Sequence, residues 1–276
     1  MISTLHWKPH PREFVRIVES FYAGLILAAK PSPDAEPGLG GKLLYAGQLD
    51  AKASALLLAA NIAGAASLAF SADAAAGKQA IRNGVVDFLV TSLDEALRIL
   101  KNEIRKRSTV AVCVAPEPQS TEADFARQLL ERGVLPDLLP TRSAPAPEFA
   151  SFLSQGSRLV VAIYPDDNQV LLDWKATSAP AQWMPKLDAL ALDCLSADPN
   201  PAVVAPGRRW LRLAPRYLGR IYSGSRLLRC DESTAKRFLD RVWEQVASGE
   251  IGVNTEVSLI HAMTSQWHLV SPPRHL

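Results

Sequence analysis

The chain has 276 residues, of which 48% are hydrophobic and 21% are charged, and this composition excludes a wholly disordered protein. Its 30 basic and 28 acidic residues leave a formal net charge of +2, which is too balanced to predict nucleic-acid binding from charge alone. The three cysteines, Cys113, Cys194 and Cys230, match neither a redox pair nor a zinc spacing. We therefore expect a reducing, cytoplasmic environment.

Helix and strand patterns alternate along the first half of the chain. Residues 13–29 carry apolar residues at helical spacing and precede a linker rich in proline and glycine, residues 31–41. Apolar runs then predict five strands, at residues 42–46, 66–70, 85–90, 109–114 and 137–139. The helices predicted between them begin near residues 51, 74, 92 and 121. This alternation predicts an α/β fold with a doubly wound, Rossmann-like parallel sheet.

Residues 53–72 within this alternation are long and apolar enough to imitate a membrane span. The stretch is dominated by weakly apolar alanine and is interrupted by Asn61 and Gly64. We interpret it as a buried helix followed by a buried parallel strand, and we predict no membrane association. The polar start of the chain, residues 1–11, also predicts no secretory signal.

The regular alternation stops after residue 142, where residues 143–147 are rich in proline and alanine. Residues 159–164 and 169–174 flank a Pro-Asp-Asp-Asn turn and are predicted to form a β-hairpin. Further strands are predicted at residues 210–213 and 226–228, and a last helix is predicted from residue 231 to about 249. We therefore predict an N-terminal helix and linker at residues 1–36, a Rossmann-like domain at 37–142, and a smaller α+β C-terminal region at 143–276.

Five short segments follow one another in the first half of the chain: Gly41-Lys42-Leu43-Leu44-Tyr45-Ala46-Gly47, Ile62-Ala63-Gly64-Ala65, Gly84-Val85-Val86-Asp87, Ser92-Leu93-Asp94-Glu95-Ala96-Leu97 and Arg132-Gly133-Val134-Leu135-Pro136-Asp137. In order and spacing, they resemble the central domain of urocanase (urocanate hydratase). The resemblance covers roughly residues 37–142. It implies a Rossmann-like domain with a tightly bound NAD, which in that family of lyases acts as an electrophile toward an imidazole ring.

The loops that face the cofactor in that family differ in this sequence. Urocanases follow the first strand with a glycine-rich turn that approaches the pyrophosphate, whereas residues 47–54 keep one glycine, Gly47. The loops after the fourth and fifth strands also depart from the family pattern, at residues 116–118 and 141–145. The flanking domains that supply urocanase's catalytic groups have no recognisable counterpart. We therefore do not expect a complete urocanate hydratase, and no catalytic residue is assigned.

A weakened NAD or nucleotide site is one prediction from this resemblance. It places Gly47, Lys52 and Ser54 around the phosphates and Asp73 at the ribose. Asp73 could equally cap the helix that begins at residue 74. Asp50 is expected to cap the preceding helix and to occupy the place that an anion needs. The alternative is a non-catalytic scaffold or oligomerisation module, such as a homodimer, that has lost the cofactor.

An arginine-rich stretch is the only hint of a polyanionic partner. Residues 199–230 contain no acidic residue, and Trp210, Tyr217 and Tyr222 interleave with the arginines. The arginines are Arg208, Arg209, Arg212, Arg216, Arg220, Arg226 and Arg229. Such a stretch could bind nucleotide phosphates or RNA, but solvated strands or a subunit interface are the favoured interpretation, so nucleic-acid binding is not expected. His261 and His268 lack companion ligands, so no metal site is predicted.

Overall fold

The computed structural model describes residues 11–29, 38–116, 120–141, 147–166, 168–251, 255–261 and 268–270. It divides the chain into two compact units, unit 1 up to Ile163 and unit 2 from Tyr164. The division lies about twenty residues after the predicted one at residue 142. The reason is that a short strand at Arg158–Val160 pairs with the preceding strand of the first sheet.

Unit 1 contains a six-stranded parallel sheet. Its helices are α1 (Pro11–Ala29), α2 (Ala51–Ala63), α3 (Ala74–Arg82), α4 (Leu93–Arg105), α5 (Glu122–Glu131) and α6 (Pro147–Ser154). Its strands are β1 (Leu43–Gln48), β2 (Ala66–Phe70), β3 (Phe88–Val90), β4 (Val110–Val114), β5 (Leu138–Pro140) and β6 (Arg158–Val160). The strand order is β3-β4-β2-β1-β5-β6, and every pairing is parallel. The predicted doubly wound α/β fold is confirmed.

The two faces of this sheet bury different side chains, since successive residues of a strand point to opposite faces. On one face, Leu43 and Tyr45 of β1 join a core cluster with residues of α4, α5 and α6. On the other, α2 packs against β1 and β2, and α1 packs against α2. Helix α2 is buried on all sides from Ala55 to Ala63, which explains why it has no polar face. The interpretation of residues 53–72 as a buried helix and strand is therefore confirmed. None of the helices in the described part of the chain is long and apolar enough to cross a membrane.

Unit 2 is built on a four-stranded antiparallel sheet. Its strands are β7 (Gln169–Ala176), β8 (Ser225–Asp231), β9 (Thr255–His261) and β10 (His268–Val270), in the order β10-β9-β7-β8. Its helices are α7 (Pro180–Ser196), α8 (Pro201–Leu218) and α9 (Glu232–Ala247), with a 3₁₀ turn at Gly219–Tyr222. Trp174 of β7 and Phe238 of α9 lie in the core, with ring centroids 5.0 Å apart. This arrangement is the predicted α+β region.

Two predictions for the second half are wrong. Residues 159–164 do not form a hairpin with residues 169–174, because β6 pairs in parallel with β5 while β7 pairs with β8 and β9. Residues 210–213 are not a strand but the centre of α8. In that helix Gly207, Trp210, Ala214 and Leu218 are buried and recur at helical spacing. The strand at residues 226–228 and the helix that follows it are confirmed.

Candidate functional site

The carboxyl edge of the parallel sheet contains the candidate site. Strands β1 and β5 are neighbours, but the chain crosses from β1 to β2 on one side and from β5 to β6 on the other. In open α/β sheets, ligands bind in the crevice outside the carboxyl ends of strands that diverge in this way. The turn from β1 into α2 borders this crevice, and the turn from β2 into α3 follows the next strand at the same edge of the sheet.

The last residues of β1 are irregular at Gly47. Its φ of 80° lies in the left-handed region that favours glycine, and the register with β2 shifts between Tyr45 and Gly47. Beyond it, the Leu49 N–H donates to the Phe70 carbonyl over 2.6 Å, which ties the turn to the end of β2. The backbone conformation at this position therefore explains why residue 47 is a glycine, without any need for a ligand contact.

Asp50 caps α2, as the sequence predicted. Its Oδ1 accepts a hydrogen bond from the Ala53 N–H over 2.7 Å, and its backbone is extended with φ of −129° and ψ of −170°. The Ser54 hydroxyl donates to the Asp50 carbonyl oxygen over 2.7 Å, so this hydroxyl is engaged within its own helix. A carboxylate thus lies where the N–H groups of a helix N-terminus would otherwise receive an anion.

Asp73 caps the next helix in the same manner. Its Oδ1 accepts from the Ala75 N–H over 2.8 Å, and the Ser71 hydroxyl donates to the Asp73 carbonyl oxygen over 2.7 Å. The capping alternative is therefore what the structure displays, while a role at a ribose stays a prediction. Asp73 is exposed at the edge of the sheet.

The structure places the four predicted site residues at one edge of the sheet. Gly47, near the end of β1, is paired with Ala69 of β2, and Asp73 follows β2. Lys52 lies in the first turn of α2 and is exposed, whereas Ser54 is half-buried. The residues therefore share a location, but Ser54 and Asp73 already have partners within their own helix starts.

Five aromatic rings fill the sheet face below this edge. The Tyr45 ring lies 6.0 Å from that of Phe125, 5.9 Å from that of Phe149 and 6.5 Å from that of Phe152, between centroids. Phe70, at the carboxyl end of β2, lies 5.4 Å from Phe125. All five side chains are buried. The rings come from β1, β2, α5 and α6, and their meeting was not predicted from the sequence.

Glu148, in the first turn of α6, was also missed by sequence reasoning. Its Oε1 lies 3.5 Å from Nη2 of Arg127, and its side chain is mostly buried. Its second oxygen, Oε2, is buried and has no hydrogen-bond partner among the described residues. The sequence contained a sign of this position, because Pro147-Glu148 is typical of a helix start. Glu148 is thus a further carboxylate in a helix start, in addition to Asp50 and Asp73.

Cys113, on β4, is not suited to nucleophilic chemistry. Burial raises the pKa of its thiol to about 12, so the reactive thiolate is scarce at neutral pH.

Asp124, in α5, has a lowered pKa, because hydrogen bonds from Thr121 hold the pKa of its carboxyl below the usual range. That carboxylate completes a reciprocal cap with Thr121 and has a structural role.

Metal ligation finds no support in the described part of the chain, where no group of three His, Cys, Asp or Glu side chains could hold a metal ion. His261 and His268 lie on β9 and β10, but their side chains are outside the described residues.

The fold and the position of the crevice define a Rossmann-like α/β protein. The family model for the urocanase Rossmann-like domain matches residues 17–157, just over half of the chain. The chain therefore belongs to the urocanase family through this domain. The matched region includes most of α1 and all of α6, and so it extends beyond the predicted resemblance over residues 37–142.

Two of the segments that resemble urocanase lie at the amino ends of the strands, which form the opposite edge of the sheet from the crevice. Asp137, before β5, accepts from the Leu43 N–H over 2.9 Å and from Lys42 Nζ over 2.8 Å. Asp87, before β3, accepts from the Ala111 N–H over 2.8 Å, and its own N–H donates to the Ala111 carbonyl oxygen. Both aspartates join the amino end of a strand to its neighbour. These segments therefore explain the fold rather than the chemistry.

The residues at the α2 N-terminus do not fit the pyrophosphate of NAD in its usual position. The Ala53 N–H, one of the donors that such a group would need, already binds the Asp50 carboxylate. Leu49 adds a buried side chain directly before the cap, where a bare backbone would be needed for close approach. A phosphate here would also meet the negative charge of Asp50.

Proposed function

We propose that this urocanase-family chain does not hold NAD tightly and acts as a non-catalytic scaffold or oligomerisation module. The observation that carries the proposal is the cap of α2 by Asp50, whose Oδ1 lies 2.7 Å from the Ala53 nitrogen. The aromatic packing of Tyr45, Phe70, Phe125, Phe149 and Phe152 supports the scaffold role, because these buried rings stabilise the sheet.

Self-association as a homodimer is part of the proposal. The outer strands β3 and β6 expose Phe88 and Leu159 to 47% and 44%, respectively. Exposed apolar residues on edge strands are features that a second copy of the chain could cover. We also propose that the protein works in a reducing cytoplasm, since Cys113, Cys194 and Cys230 are buried free thiols.

A weak NAD or nucleotide site is the second candidate, and it would leave room for a urocanase-like lyase or another NAD-dependent activity. The positive φ of Gly47 and the exposure of Lys52 in the first turn of α2 favour it. Asp73 follows the neighbouring strand, at the place where an acidic residue accepts ribose hydroxyls in this class of fold. This candidate requires that Asp50 release the α2 N-terminus.

Thermal unfolding with and without NAD distinguishes the two candidates. We expect about 1 mM NAD to leave the melting temperature of the wild-type protein unchanged. A site with a Kd of about 10 μM would instead raise it by about 5–10 °C for a unit of this size. Such a shift in the wild-type protein would contradict the scaffold proposal.

Asp50→Asn tests whether the α2 N-terminus has kept any affinity for phosphate. Asparagine caps helices about as well as aspartate, so this variant removes the negative charge while retaining the cap. Asp231→Asn is the matched control, since it makes the same change at the cap of α9 in unit 2. If the second candidate holds, NAD should stabilise D50N more than D231N; equal, negligible shifts in both variants would support the scaffold.

A further inference from the structure

The arginine-rich stretch of unit 2 has two structurally different parts. Among residues 199–230, which contain neither acidic residues nor lysine, the structure assigns some side chains to the interior and others to the surface. Arg226 is buried, its Nε donates to Asp188 over 3.0 Å, and its guanidinium lies over the Tyr222 ring. That arginine stabilises unit 2 and is not available to a partner.

Two of the three aromatic residues predicted to interleave with the arginines are also internal, whereas Tyr217 is half-buried. Trp210 and Tyr222 are 2% and 1% exposed, and the Trp210 indole N–H donates to the Tyr222 hydroxyl over 3.1 Å. The Tyr222 hydroxyl in turn donates to the Leu227 carbonyl over 2.9 Å. The Trp210 and Tyr222 rings therefore cannot stack on bases, and recognition of base identity through these two rings is excluded.

Three of the remaining arginines line the outer face of α8, whereas Arg209 is half-buried and Arg229 lies on β8. Arg208, Arg212 and Arg216 are exposed and spaced four residues apart, so they form a stripe with about 6 Å between successive positions. Arg220 is exposed just beyond the helix. Arg208 donates to the Ser196 hydroxyl over 2.8 Å, and the Arg216 guanidinium lies 5.5 Å from the Tyr217 ring centroid. Both of these contacts are with neutral groups.

We propose that this stripe binds the phosphodiester backbone of nucleic acid without reading its sequence. Guanidinium groups match phosphate oxygens in planar, bidentate geometry, and all the basic residues of the stretch are arginine. Phosphate contacts position a nucleic acid but carry no sequence information. The proposal replaces the interpretation of this stretch as solvated strands, because Arg208, Arg212 and Arg216 project from one helix.

Two other kinds of partner, a membrane and a protein, fit the stripe less well. A helix that lies on a membrane presents an apolar face to the bilayer, but the apolar face of α8, with Trp210, Ala214 and Leu218, is buried in unit 2. A stable protein interface usually has an apolar or aromatic centre, whereas none of the exposed large hydrophobic residues in the described part of the chain lies on α8. The phosphate backbone needs neither feature.

Fluorescence anisotropy with a labelled oligouridine of about 20 nucleotides tests the proposal on the full chain. With about four phosphate contacts, affinity should fall about 50-fold between 50 and 200 mM salt. The variant R208A/R216A/R220A should lose at least tenfold in affinity at low salt. It should also reduce the slope of log K against log salt by about 2.

The matched control is R98A/K101A/R105A on α4, which removes the same charge from another exposed surface of the protein. We expect it to bind like the wild-type protein, and both variants should keep the wild-type melting temperature because the six side chains are exposed. The variant R208K/R216K/R220K separates charge from geometry and should bind with intermediate affinity.

Three results would overturn the proposal. One is equal loss of affinity in the α8 and α4 variants, which would indicate a net-charge effect. Another is absence of oligouridine binding at about 50 mM salt. A third is tighter binding to a polyglutamate peptide, or to vesicles with anionic lipid, than to oligouridine of equal charge, which would assign the stripe to an acidic protein or a membrane.

Discussion

Phe125→Ala is expected to destabilise unit 1 by about 3–5 kcal/mol. Phe125 is buried on α5, and its ring lies 6.0 Å from that of Tyr45 and 5.4 Å from that of Phe70. Truncation removes both aromatic contacts and leaves a cavity below the carboxyl edge of the sheet. The loss is a large fraction of the stability of a typical domain, so the variant should be partly unfolded at physiological temperature.

Far-UV circular dichroism during urea unfolding measures this effect, with Ile81→Ala as the control. Ile81 lies on α3 and is 40% exposed, so truncation there should cost less than about 1 kcal/mol. Similar losses in F125A and I81A would contradict the description of the aromatic cluster as the centre of the unit 1 core.

Arg226→Ala is expected to destabilise unit 2 by about 3 kcal/mol at pH 7. The guanidinium donates to Asp188 and also to the carbonyl oxygens of Tyr222 and Ser225, and it lies over the Tyr222 ring. Its removal leaves the Asp188 carboxylate, which also accepts from the Trp174 indole N–H over 3.2 Å, without its positive partner.

The loss in R226A should depend on pH. Burial raises the pKa of the Asp188 carboxyl and Arg226 opposes that effect, so removing Arg226 should raise the pKa further. A carboxyl whose folded pKa exceeds its unfolded pKa binds its proton more readily in the folded state. The penalty is therefore present above the folded pKa and is relieved as the pH falls through it. The destabilisation relative to wild type should be smaller at pH 5 than at pH 7.

Tryptophan fluorescence is the appropriate probe for R226A, because five of the six tryptophans follow residue 164. Arg216→Ala is the control, since Arg216 also lies over a tyrosine ring but is exposed on α8. It should change stability by less than about 0.5 kcal/mol. A loss in R226A that matches R216A, or that grows as the pH is lowered, would contradict the buried ion pair.

The structure could be predicted from the sequence where neighbouring residues alone determine it. Asp50, Ser92, Thr121 and Asp231 each cap a helix because a short acceptor side chain precedes a helical run. The apolar character of α2 predicted its burial, and Gly64 ends that helix with φ of 92°. The order of such segments was enough to identify the parallel sheet and the urocanase family.

Sequence reasoning failed where partners distant in the chain decide the outcome. Trp210 to Leu213 alternate as in a strand, but burial of Trp210 with Gly207 and Ala214 makes the segment helical. The turn after Tyr164 suggested a hairpin, yet β6 completes the parallel sheet beside β5. The aromatic cluster at the candidate site could not be predicted, because its rings come from four separate elements.

NAD content of the purified full chain tests the central claim most directly. Denaturing the protein, removing the precipitate and analysing the supernatant by mass spectrometry reveals any nucleotide that was held tightly. We predict a supernatant free of NAD, because Asp50 occupies the α2 N-terminus. Recovery of NAD in an amount equal to the protein would show that the crevice still holds the cofactor and would contradict the account.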